Sequence, residues 1–133
     1  MKFKSFESAA TVALLFASVS MTGCTTIADA KAGKGTGVSQ TYAVAPARVW
    51  QVLPNAVKQV GLDYVADNKE EGYAVAQRGI SAFSYGENVA IFVDAAPSQS
   101  TKVEVVSKRA LATTIFATEW AKPILDKITE LLR

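Results

Sequence analysis

The spacing of apolar residues changes at Gly61, and that change restricts the fold sharply. Before it, Val49, Trp50, Leu53, Ala56, Val57 and Val60 recur at helical intervals. Pro46 opens this stretch, where a missing N–H costs nothing, and Gly61 closes it as a left-handed residue should. After it, Leu62, Tyr64 and Ala66 alternate with Asp63, Val65 and Asp67, the period of a half-buried strand. A helix with an apolar stripe and strands with one apolar face must bury those surfaces against each other. Pro54 lies inside the predicted helix, where it removes one backbone hydrogen bond and bends the axis.

The flanking segments extend the pattern. Thr41–Val44 reads as a short strand before the helix. Asn68–Gly72 is an acidic turn leading into a strand at Tyr73–Arg78, and Gly79 reads as a bulge. Residues 80–85 read equally as strand or loop, and Gly86–Asn88 as a turn. Val89, Ile91 and Val93 form the next alternation, followed by a turn around Pro97. Val103 and Val105 then alternate with Lys102 and Glu104. Arg109–Phe116 reads as an irregular connection. Trp120, Ile124, Leu125, Ile128, Leu131 and Leu132 stripe a final helix over 118–132, with Pro123 marking a bend or the true first turn. The expected fold is α+β in the order β-α-β-β-β-β-α. Its antiparallel sheet carries both helices on one face, and a single domain spans 41–133.

The residues before this domain have a different character. Lys2 and Lys4 precede Ala9–Met21, an almost wholly apolar or small run. As a helix it would span roughly 20 Å, short of the hydrocarbon core of about 30 Å. A basic flank, an apolar centre and a small-residue end fit a signal peptide over 1–23. The run ends at Met21-Thr22-Gly23-Cys24, which holds the single cysteine of the chain. This stretch resembles the lipobox of bacterial lipoproteins. The resemblance implies diacylglycerol on the Cys24 sulfur, cleavage before it, and acylation of the new amino terminus. Thr25, in place of an aspartate, implies by the same analogy the outer membrane rather than the inner. Two other readings stand beside this one: cleavage at the A-x-A pattern Ala28-Asp29-Ala30, which discards Cys24, and an uncleaved anchor. Residues 24–40, rich in Gly, Ala, Thr, Ser and Lys, read as a flexible tether spanning roughly 20–25 Å, with Gly37–Gln40 an alternative edge strand.

Composition limits the chemistry. The 133 residues include no histidine, which removes the commonest general base and zinc ligand and every Ser-His-Asp triad. One cysteine allows no internal disulfide. A net charge of +2 with scattered basic residues gives no stripe for tracking phosphates, so no nucleic-acid partner is expected. Glu70 and Glu71 sit in a turn and point apart. Asp63 and Asp67, placed together on a strand's outer face, make a poor metal site. No catalytic residue, metal or cofactor is expected, and the protein is read as a non-enzyme.

The passage YAVAPARVWQVLPNAVKQVGLDYVADNKEEGYAVAQ, within residues 42–77, resembles small bacterial lipoproteins with a single BamC-like domain. An extended start leads to a Pro-marked helix ending in Gly61-Leu62, then a strand, an acidic turn and another strand. The resemblance covers most of residues 41–133 and implies a helix-grip or TBP-like fold. Its motif carries no catalytic residue.

These readings predict a lipoprotein held through Cys24 on the periplasmic face of the outer membrane. There it binds an envelope protein or component. The expected binding surface is Phe83 and Tyr85, which share a face if extended, with a basic group at Arg78, Lys108 and Arg109. The alternative is a carrier of a small hydrophobic ligand, in a cavity lined by Phe83, Tyr85, Phe92 and Trp120.

Overall fold

The structure is a computed structural model and describes residues 27–79, 86–109 and 119–133; the side chains of Ile27, Asp29, Ala30, Lys108 and Arg109 lie outside the description. Eight elements follow in order. They are α1 (Ile27–Ala32), β1 (Val38–Tyr42), α2 (Pro46–Gln59), β2 (Asp63–Asn68), β3 (Tyr73–Arg78), β4 (Glu87–Ala96), β5 (Ser100–Arg109) and α3 (Ala121–Leu131). The strands form one antiparallel sheet in the order β1-β5-β4-β3-β2. The fold is α+β, with the expected β-α-β-β-β-β-α order from β1 onward.

Local chemistry accounts for the helix limits. Pro46 occupies the first turn of α2, and Gly61 beyond its end has φ +91°. Pro54 lies inside α2. Pro123 falls in the first turn of α3, where its absent N–H is no loss. The turn after β2 is organised by Asn68, whose Oδ1 accepts the amides of Glu70 and Glu71, both at 3.1 Å.

α2 and α3 cover one face of the sheet. Val49, Leu53, Ala56 and Val57 of α2 meet Ile124, Leu125 and Ile128 of α3 over Ala74, Ala76, Val89, Ile91, Val93, Val103 and Val105. Leu53, Ile91, Ile124 and Ile128 are wholly excluded from water. Each contributes about 1.5–3 kcal/mol of burial, which makes this layer the main source of stability. The small Ala74 and Ala76 on β3 let α2 approach the sheet. Tyr42 ties β1 to α3, its hydroxyl donating to the Leu125 carbonyl at 2.8 Å.

Three expectations are corrected. First, the tether expected over 24–40 does not run through to residue 40, because α1 and β1 fall inside that span. α1 and the turn after it lie on the sheet face opposite α2 and α3, and β1 begins at Val38, which takes up the alternative of an edge strand at Gly37–Gln40. Long-range contacts hold them. Lys31 Nζ stands 3.3 Å from Glu71 and 4.0 Å from the Tyr73 ring centroid. Lys34 Nζ stands 2.8 Å from Asp94 and 5.3 Å from the Phe92 ring centroid. The Gly35 and Gly37 amides donate to one oxygen of Glu104, at 2.6 and 2.9 Å. Gly37 lies so flat on β5 that an added Cβ would stand 2.2 Å from the Val105 carbonyl oxygen.

Second, β2 does not alternate simply. Tyr64 pairs with Ala76 and Ala66 with Val75, so Val65 is an extra residue in a bulge. The bulge moves Asp67 onto the face of Tyr64, whose hydroxyl donates to Asp67 at 2.8 Å. Asp63, opposite Gln77, therefore faces away from Asp67.

Third, Glu87 and Asn88 are not turn residues. They start β4, because Arg78 and Arg109 extend the ladders on both sides to Glu87. Residues 80–85 and 110–118, with their expected loop and strand alternatives, lie outside the described residues.

Candidate interaction site

The sheet gathers residues that are far apart in sequence at one end of its three middle strands. Arg78 ends β3, Glu87 starts β4 and Arg109 ends β5, and the three lie side by side in the register. The adjoining row is Gln77, Asn88 and Lys108. The predicted basic group Arg78, Lys108 and Arg109 is thus brought together at backbone level, across a central glutamate and asparagine.

Side-chain direction follows from strand period. In β4, residues 87, 89, 91 and 93 face the helices, and residues 88, 90 and 92 face the other side. Glu87 is only 4 % exposed, and its Oε2 accepts the indole N–H of Trp120, the residue immediately before α3. A buried indole needs such an acceptor, and a buried carboxylate needs such donors. The Arg78 guanidinium lies 5.5 Å from the Trp120 ring centroid, within cation–π range. Gln77 Nε2 donates to Asn88 at 2.7 Å on the other face. A positive group, a flat aromatic and an anchored carboxylate therefore meet where β4 begins.

The other predicted site residues divide clearly. Cys24, Phe83 and Tyr85 lie outside the described residues. Phe83 and Tyr85 belong by sequence to the connection between Arg78 and Glu87. The proposed cavity lining is not brought together, because Phe92 and Trp120 lie on opposite faces of the sheet. Phe92 packs with Ala90, Val106 and Tyr73 beneath α1, and Trp120 packs in the helix-covered core. Among the described residues, no group of three or more potential metal ligands is assembled, and no helix is long and apolar enough to cross a membrane.

Two features escaped sequence reasoning. The Glu87–Trp120 pair had a faint signal: extending the alternation of Val89, Ile91 and Val93 back by two places puts Glu87 on the core face. The Glu104 latch had none, since an outward-facing glutamate gives no hint that a glycine turn covers it. Glu104 is 4 % exposed. Lys31 is raised above the ordinary lysine value, chiefly by the Tyr73 hydroxyl and then by Glu71, so it stays charged on this face.

No protein-family model matches the chain, and no curated protein matches it.

Proposed function

We propose that the protein is a lipid-anchored, non-enzymatic binding module on the periplasmic face of the outer membrane. It resembles small BamC-like lipoproteins in this reading, and its partner is an envelope protein. The observation that carries the proposal is the apolar run Ala9–Met21 ending in Thr22-Gly23-Cys24, with the sole thiol of the chain directly after two small residues. Several acyl chains on Cys24 and its amino terminus would hold the domain firmly, where one chain binds only marginally. The partner surface is the sheet end at Arg78, Lys108 and Arg109, with Phe83 and Tyr85, which by sequence belong to the segment linking Arg78 to Glu87. The juxtaposition of Arg78, Glu87 and Trp120 supports that choice.

Metabolic labelling with a fatty acid tests the anchor. Label is expected on the native chain and absent after Cys24→Ala; label that persists on the alanine variant refutes the proposal. The partner is tested with a photo-crosslinking residue at position 108 or, as a control, at Asn55 on the exposed side of α2. A discrete envelope-protein adduct from position 108 alone is expected, and identical patterns from both positions would remove the assigned surface.

A further inference from the structure

We infer that the domain is held close against the bilayer, with the α1-bearing face of its sheet toward the lipid and the α2–α3 layer turned away. This rests on acylation of Cys24. Only Thr25 and Thr26 separate Cys24 from the first residue of α1. Three residue steps span at most roughly 10 Å, however they are arranged. A tether running to residue 40 would have allowed every orientation, but the contacts of α1 and the turn after it leave only two residues of sequence between Cys24 and α1. The helix and the turn after it are fastened at three places: Lys31 to Glu71 and Tyr73, Lys34 to Asp94 and Phe92, and the Gly35 and Gly37 amides to Glu104.

All of those contacts are with the outer face of the sheet, which carries Tyr73, Phe92 and Glu104. α2 and α3 lie beyond the sheet, the thickness of one sheet and two helix layers away, roughly 20 Å. Three residue steps cannot carry the anchor around the sheet to that side. Ala28 and Ala32 on α1 are exposed. The partner fitted by this surface is the lipid headgroup layer, and Arg78, on the α2–α3 face of the sheet end, is turned away from it.

The test uses full-length acylated protein, purified from membranes and reconstituted in phosphatidylethanolamine–phosphatidylglycerol vesicles that contain headgroup-nitroxide lipid. A fluorophore is placed on a cysteine introduced by Ala32→Cys on α1 or Gln51→Cys on the exposed side of α2. Acylation is checked by intact mass. Strong quenching at position 32 and none at position 51 is expected. Inserting about twelve Gly/Ser residues between 26 and 27, a coil spanning roughly 20 Å, is expected to abolish the difference. Equal quenching at both positions in acylated protein overturns this inference and leaves the lipoprotein reading intact. An intact mass without acyl chains overturns both.

Discussion

The indole N–H of Trp120 donates into the carboxylate of Glu87, joining the first residue of β4 to the residue that precedes α3. The pair stands at the junction of the core and the candidate partner surface, so its energetics bear on both.

Trp120→Phe removes the indole donor from a buried carboxylate and is expected to cost about 1–3 kcal/mol of stability. A double-mutant cycle with Glu87→Gln, followed by urea denaturation, reads the coupling directly. Strictly additive effects would mean that the two side chains are neighbours without a shared interaction.

Glu104→Ala leaves the Gly35 and Gly37 amides without their charged acceptor. The expected loss is about 1.5–3 kcal/mol, with faster hydrogen exchange at those two amides and little change in the core strands. Gly37→Ala acts on the same latch by steric means, since its Cβ would press on the Val105 carbonyl. Unchanged exchange in both variants would show that α1 is held by something else.

Ile124→Ala, at the centre of the α2–α3–sheet core, is expected to destabilise by about 2–5 kcal/mol. Val65→Ala, at the exposed bulge where the side chain is 45 % accessible, is expected to stay within about 0.5 kcal/mol. Thermal or urea unfolding of the two variants side by side checks the ranking, and a reversed order contradicts the placement of the core.

Tyr42 and Tyr64 are both raised above the ordinary tyrosine value of 10.0, by burial first. The Asp67 carboxylate pushes Tyr64 up further. The folded chain therefore keeps these protons after the unfolded chain begins to release them near pH 10. The associated stability is complete below that pH and falls as pH rises through the folded values. Ultraviolet titration of tyrosinate absorbance should show a late component that Tyr64→Phe diminishes. A single unshifted titration would argue against the burial and the Asp67 contact.

Much of the architecture was legible in local periodicity. The α2 stripe, bounded by Pro46 and Gly61, and the alternation around Ile91 and Val103 are signals carried by neighbouring residues, and the sheet and both core helices follow from them. α1 was missed because six residues rich in alanine hold no stripe of their own. The partners of α1 and the turn after it, Glu71, Asp94 and Glu104, lie 40 to 69 residues away. The Val65 bulge was missed for a similar reason, since its sequence alternates well enough and only the pairing with β3 shows the extra residue. At the candidate site, the basic residues were named one by one, but their assembly around Glu87 depends on strand register, which no short stretch encodes.

The two borders of the sheet are unlike. β1 is regular and uncharged, whereas β2 is kinked at Val65 and presents Asp63 and Asp67 to water. Growth of a ribbon from molecule to molecule needs two matching borders on every member, and the acidic, buckled one cannot receive a second strand in register. A copy that paired along the β1 border would offer no matching border on its far side, so such pairing would end at two molecules.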